Sequence, residues 1–162
     1  MKARRTIGVS LTILTLGLGA GGYAWLNTNR FGKVIRTRCF MGIVPSPEHV
    51  QVSRGDSPGW TPSAADVSRA EERLRAYVAD HRAEVGPRVA DELSQYRRVY
   101  YGLSAQGVKR LLVSGTHREV SPYREWRRHP ISSLIGGGDL AWGAVYDSDL
   151  DDIVDFHINT PR

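Results

Sequence analysis

Two side chains near the C-terminus have the types and spacing that nucleophilic catalysis needs. Asp155 and His157 stand two residues apart in a stretch with strand-like alternation, so both side chains are expected on one face. With Ser114 or Ser132 they would complete a nucleophile–base–acid set, as in a small hydrolase. However, the chain contains no G-x-S-x-G turn to present such a serine. A solvated strand face is the simpler interpretation, and we assign no catalytic residue.

Three alternating aspartates, Asp147, Asp149 and Asp151, resemble the carboxylates of a calcium loop. An EF-hand loop needs glycine at its sixth position and glutamate at its twelfth, where this chain has Asp152 and Ile158. We therefore interpret the segment as a polar hairpin turn. The sequence predicts neither a metal site nor a cofactor.

Five aromatic and basic side chains are the candidates for binding a ligand or a partner. Arg124 and Arg127 flank Trp126 in a basic loop, where guanidinium groups can bind a phosphate, a carboxylate or an acidic partner. The alternative is a solvated loop whose Trp126 packs on the edge of the core. Tyr101 and Trp142 lie in predicted strands that are apolar on both faces, and protein interfaces are enriched in both residue types.

The elements that must position these side chains are helices followed by strands. Ser63 and Asp66 have the spacing of a capping box, and Pro87 after Gly86 predicts the start of a second helix. Short strands are predicted at 97–103, 109–114, 140–146 and 153–158. In the last of these, Val154 is expected on the same face as Phe156 and Ile158.

These elements predict an α+β fold in which one or two helices pack on a four-stranded antiparallel meander. The expected divisions are a transmembrane or signal segment at 1–30, a linker at 31–61 and the α+β domain at 62–162. One helix layer covers only one face of a sheet. The second face must therefore be covered by the linker, including Trp60, by a second copy of the chain or by a partner.

The N-terminus predicts a single membrane span. Residues 7–26 are uncharged and would form a helix of about 30 Å, the thickness of the hydrocarbon core. Lys2, Arg4 and Arg5 precede this run. Two interpretations stay open, an uncleaved signal-anchor and a signal peptide that is cleaved near Ala24. Either one predicts that the C-terminal domain lies outside the cytoplasmic membrane, tethered to it or released into the periplasm.

Composition excludes several classes of protein. The chain has 162 residues and a net charge of +5. Residues 1–60 carry eight Lys and Arg against two acids, a net charge of +6, while 61–162 carry fourteen against fifteen, a net charge of −1. A nearly neutral folded part does not predict nucleic-acid binding. The single cysteine, Cys39, excludes an internal disulfide and a cysteine-based zinc cage.

The C-terminal half also resembles a known group of proteins. The residues that carry the likeness are Tyr96, Tyr100-Tyr101-Gly102, Gly107-x-Lys109-Arg110, Trp126, Gly136-Gly137-Gly138-Asp139, Trp142-x-x-x-Tyr146-Asp147 and Ile153…Phe156-x-x-Asn159. Over residues 64–160 this pattern resembles small exported bacterial proteins with a helix and a four-stranded sheet. The resemblance implies a fold but no catalytic residue. Members with cysteines near the counterparts of Gly115 and Ile135 differ from this chain.

The sequence therefore predicts a membrane-anchored extracytoplasmic protein with a non-enzymatic interaction or binding domain. We expect it to contact a protein partner, or a second copy of itself, through the sheet. The alternatives are a small periplasmic hydrolase that uses His157 and Asp155, and a carrier of a small ligand.

Overall fold

The computed structural model describes residues 24–29, 31–46, 57–105, 107–121, 126 and 137–159. In these residues, helices pack on one face of a single β-sheet of mixed strand direction. The α+β class predicted from the sequence is confirmed.

The described part of the sheet contains more strands than the four that were predicted. They are β1 (Ala24–Asn29), β2 (Gly32–Arg36), β3 (Met41–Pro45), β4 (Ser57–Trp60), β5 (Tyr96–Ala105), β6 (Val108–His117), β7 (Gly138–Asp147) and β8 (Asp152–Asn159). The spatial order is β1-β2-β3-β5-β6-β7-β8, and β4 pairs with β5 outside this path. Strands β5 to β8 form the antiparallel meander that the alternation predicted.

The segment predicted as a linker, 31–61, is where the sequence prediction is wrong. Strands β2 and β3 form a hairpin, and β3 runs parallel to the first half of β5. Strand β4 pairs antiparallel with the second half of β5. The glycines that suggested a loop instead permit close packing. A Cβ atom at Gly42 would lie 2.2 Å from Cε2 of Tyr100, so only glycine leaves room for that ring.

Three helices precede the meander: α1 (Ala64–Asp80), α2 (Arg82–Val85) and α3 (Pro87–Glu92). The predicted capping box is confirmed, because the Ser63 hydroxyl accepts from the Asp66 backbone N–H and the Asp66 carboxylate accepts from the Ser63 N–H. Pro87 begins α3, as predicted. A stripe of buried residues on α1 faces the sheet; it consists of Val67, Ala70, Glu71, Leu74 and Val78.

The core lies between this stripe and one face of the sheet. Apolar side chains from β5, β6 and β7 fill it, since alternate residues of each strand point toward the helices. Trp142 of β7 stacks against Phe156 of β8 with ring centroids 5.6 Å apart, and Phe156 stacks on Tyr77 of α1. Aromatic contacts therefore join α1 to the far side of the meander.

Strand β8 departs from the predicted alternation. The register shifts between Val145 and Tyr146, so that Tyr146 pairs with Ile153 and Val145 pairs with Asp155. This irregularity buries Ile153 and leaves Val154 44% exposed. The prediction that Val154 shares a face with Phe156 and Ile158 is wrong, because the extra residue reverses the alternation at that point.

No helix of the described residues is long and apolar enough to cross a membrane. Residues 1–23, which contain most of the predicted span, lie outside the described residues. The last three residues of the predicted helical run belong to β1, which begins at Ala24.

Candidate functional site

The second face of the sheet, opposite the helices, carries a row of partly exposed apolar side chains. Tyr101 of β5 pairs with Leu112 of β6, and Leu112 pairs with Val145 of β7. All three are only partly buried. Because paired residues share one face, they form a continuous surface across three strands, which we call the apolar strip.

A second row, next to the apolar strip, is polar. Ser114 of β6 pairs with Gly143 of β7, and Gly143 pairs with His157 of β8. Asp155 precedes His157 by two residues on the same face, and its Oδ2 lies 3.7 Å from His157 Nδ1. The sequence predicted that Asp155 and His157 share a face, and the structure confirms this. We call Ser114, Gly143, His157 and Asp155 the polar row.

The imidazole of His157 lies next to Gly143. A Cβ atom at position 143 would be 2.4 Å from His157 Cε1 and 2.6 Å from Nε2. These are the two ring atoms farthest along the side chain from β8, so the ring crosses the gap between β8 and β7. The absence of a side chain at Gly143 therefore leaves room for the imidazole at this place.

The helix-covered face contains a different acid–base pair. Glu71 of α1 and Arg98 of β5 are fully buried, with Glu71 Oε1 2.6 Å from Arg98 Nε. Tyr100 donates its hydroxyl to Glu71 at 2.8 Å, and Arg98 donates to the backbone carbonyls of Tyr96 and Leu93. Burial raises the pKa of the Glu71 carboxyl, and Arg98 opposes this shift. The closed surroundings make this pair structural.

A polar cluster at one end of the sheet joins α3 to β6. His117 is buried, with Nε2 3.0 Å from Oε2 of Glu92 and Nδ1 accepting from the Glu119 backbone N–H. Arg88 of α3 contacts the carboxylate of Glu119 at 2.5 Å, and it also lies within 4 Å of Asp139. The carboxylates of this cluster lie next to positively charged side chains, which is the pattern of contacts that hold two elements together.

The aspartates of the β7–β8 turn are occupied by protein donors. Asp147 accepts from the backbone N–H groups of Asp149 and Leu150, and Arg110 contacts its other oxygen. Asp151 accepts from Arg73 and Tyr146. A calcium ion would have to displace these donors. Among the described residues, no group of His, Cys, Asp and Glu is arranged to bind a metal.

The five predicted binding residues fall in different places. Tyr101 contributes to the apolar strip. Trp126 is fully buried and packs with Val34, Ile43 and Val99 on the second face, as in the alternative interpretation, so it does not present a side chain to solvent. Arg124 and Arg127 lie outside the described residues.

Trp142 was predicted to bind a ligand or partner, and the structure places it instead in the core under the helices. Its ring fills the space beside Gly115, where a Cβ atom would lie 2.2 Å from Trp142 Cε2. The second face is partly covered by Trp126, while Trp60 does not fold across it. Trp60 lies at the edge of the sheet in β4 and donates to the Leu103 carbonyl.

Two features of the site were missed by the sequence prediction. Glu71 lies four residues after Val67 and three before Leu74, so helical spacing alone places this carboxylate on the buried stripe. Gly143 carries no such signal, because its role depends on a pairing between separate strands.

Comparison with known proteins gives no relative for this chain: no family model, no curated protein and no solved structure matches it.

Proposed function

We propose that this protein is a membrane-anchored, extracytoplasmic binding domain whose contact surface is the apolar strip. The observation that carries the proposal is the difference in burial between the two faces. Apolar side chains under the helices are buried from solvent. Tyr101, Leu112 and Val145, at paired positions on neighbouring strands, stay partly exposed. Grouped apolar side chains at a surface mark binding sites more often than scattered ones do.

The size of the strip favours a small apolar group as its occupant. Neighbouring strands lie about 4.8 Å apart, so the strip extends about 10 Å from β5 to β7. A standard protein interface buries about 800 Å² on each partner, which is far more than three side chains supply. We therefore propose a ligand with a short apolar portion, with a protein partner or a second copy as the alternatives.

The proposed location rests on the N-terminal segment. The uncharged run of residues 7–26 and the basic residues before it support insertion into the membrane. The resemblance to small exported proteins supports the same cellular location. The test is fractionation of cells that express the full chain. We expect it in the membrane fraction, or in the periplasm if the signal is cleaved, and recovery of an intact N-terminus from cytosol contradicts the proposal.

The binding proposal is tested with a short-chain aliphatic alcohol that carries a photoreactive diazirine, a probe without charge. The full-length protein is irradiated with this probe, and the labelled peptides are mapped by mass spectrometry. We expect label on β6 and β7 around Leu112 and Val145. Leu112→Lys should abolish it, because a charged side chain in the strip opposes binding of an apolar group.

Leu150→Lys is the matched control. Leu150 is 69% exposed in the β7–β8 turn, so a probe that follows exposure alone labels this residue most strongly. Preferential labelling of the strip, lost in Leu112→Lys and kept in Leu150→Lys, supports the proposal. Labelling that Leu112→Lys does not reduce contradicts it.

A further inference from the structure

The polar row brings a hydroxyl, an imidazole and a carboxylate onto one face without any dedicated loop. Ser114, Gly143 and His157 are directly paired across β6, β7 and β8. The imidazole already reaches the Cβ position of Gly143. Ser114 stands one strand further, and Cβ positions of paired residues lie about 5 Å apart. The sheet register therefore directs His157 toward Ser114.

The carboxylate of Asp155 lies on the other side of the ring. Its Oδ2 is 3.7 Å from Nδ1 of His157, which is within ion-pair range but longer than a hydrogen bond. Contacts of this kind are often long before substrate binds. Asp155 and His157 have exposed fractions of 60% and 53%, so both are accessible from solvent, whereas Ser114, paired with Val99 of the Trp126 cluster, is 6% exposed.

We propose that Ser114 is a nucleophile that accepts the acyl group of an ester, with His157 as its general base. Asp155 is a positioning residue that stabilises the imidazolium through Nδ1. The inference rests on the proposed function, since the apolar strip would bind the acyl chain. Leu112 and Val145 each stand two residues from a member of the polar row, so a bound chain would lie beside Ser114.

The proposed step balances without a cofactor. Ser114 Oγ bonds to the acyl carbon while its proton passes to His157 Nε2, and that proton then goes to the departing alkoxide, which leaves as an alcohol. Water attacks the acyl-serine and gives up a proton to Nε2, which returns it to Oγ. The acid and the original hydroxyl are the products, and no oxidant or reductant takes part.

Gly143 leaves room for the His157 ring on the second face, as Gly42 and Gly115 leave room for Tyr100 and Trp142. A strand interior gains from a side chain, and glycine weakens it. Here any side chain would occupy the place of the His157 ring. The glycine therefore leaves room for the imidazole across β7, which is the orientation that a base for Ser114 needs.

The test uses an alkyl fluorophosphonate, which forms a bond between phosphorus and a nucleophilic serine oxygen and releases fluoride. The full-length protein is incubated with the probe, and the site is mapped by mass spectrometry. We expect one phosphonyl group on Ser114. In His157→Ala the labelling rate should fall by about 100-fold or more, the usual contribution of a general base. His81→Ala, at the end of α1, should label at the wild-type rate.

Three further variants examine positioning. Gly143→Ala should slow labelling as His157→Ala does, while circular dichroism and the melting temperature confirm that the variant is folded. Asp155→Ala should slow labelling, and Asp155→Glu should restore it, because the longer carboxylate still reaches Nδ1.

Failure of this inference and failure of the proposed function are distinguishable. Unmodified Ser114 in the folded protein, or equally fast labelling in His157→Ala, overturns the acyl-transfer inference. If the diazirine alcohol still labels the strip in those samples, the binding function stands without acyl transfer. If the diazirine probe does not label the apolar strip of the wild-type protein, the proposed function itself is overturned.

Discussion

Among the described residues, an acid–base pair lies on each face of the sheet, Arg98 with Glu71 on one and His157 with Asp155 on the other, and the two pairs differ in burial. Arg98 and Glu71 are enclosed beneath α1, with hydrogen bonds from Tyr100 and to backbone carbonyls around them. Asp155 and His157 lie on the second face with half or more of each side chain exposed. Burial and the hydrogen bonds around it make the first pair a structural element, whereas the second pair is exposed beside Gly143 and is the one to which we assign a reaction.

The largest expected effect comes from breaking the buried pair. Glu71→Ala would leave the Arg98 guanidinium buried without its counter-charge, which costs about 3–5 kcal/mol. Urea denaturation measures the loss in free energy of unfolding. The double variant Glu71→Leu with Arg98→Met should recover most of it, since apolar replacement of a whole buried pair is often neutral. A loss below about 1 kcal/mol in Glu71→Ala would mean that the pair is not enclosed in solution.

Next in size is the difference between leucines on the two faces. Leu74→Ala should lower the free energy of unfolding by about 2–5 kcal/mol, because Leu74 is fully buried in the stripe of α1. Leu112→Ala, in the partly exposed strip, should cost roughly 1 kcal/mol. Equal losses in urea denaturation would indicate that the second face is covered as completely as the first.

A smaller effect should appear in acid at the β7–β8 turn. Hydrogen bonds from Arg73 and Tyr146 lower the pKa of Asp151 to about 2 from an ordinary value of 3.8. A depressed pKa stabilises the fold above pH 4, and this contribution is lost as the pH falls from about 4 toward 2.

Asp151→Asn isolates that charge, since asparagine also tolerates the φ of 54° at this position. We expect a lower melting temperature than wild type at pH 7 and a difference that narrows between pH 4 and pH 2. A difference that is the same at both ends of this range contradicts the assignment to ionised Asp151.

The smallest effect is expected on the second face. Asp155→Asn should change the free energy of unfolding by less than about 0.5 kcal/mol, because exposed ion pairs contribute little. The same substitution should still alter labelling of Ser114. A large loss of stability in urea would make Asp155 structural and would remove the contrast between the two pairs.

Local signals were sufficient for part of this fold. The capping box of Ser63 and Asp66 and the start of α3 at Pro87 depend on neighbours within a few residues, and both were predicted. The meander was predicted because its strands follow one another along the chain with clear alternation. The parallel pairing of β3 with β5 was missed, because Met41 and Arg97 are 56 residues apart in sequence and nothing local encodes their contact.

The candidate site likewise depends partly on local signals and partly on contacts between residues that are distant in sequence. That Asp155 and His157 share a face follows from the period of a strand, and the sequence predicted it. That Ser114 and Gly143 complete the row depends on the register of three strands, which one sequence does not specify. Trp142 was assigned to the wrong role because its strand is apolar on both faces. In such a strand the sequence pattern is the same whether an aromatic side chain points to the core or to a ligand.

Strand β5 has two different neighbours along one edge, β3 beside its first half and β4 beside its second. Strands β3 and β4 both lie within the first 60 residues. A fragment that begins at residue 61 would therefore leave that edge of the ten-residue strand β5 without a paired strand. Unpaired backbone groups in such a row recruit other chains and seed insoluble assemblies. A soluble sample made without the predicted membrane segment should therefore keep the chain from Ala24 onward, because β1 pairs with the edge of β2 in the same way.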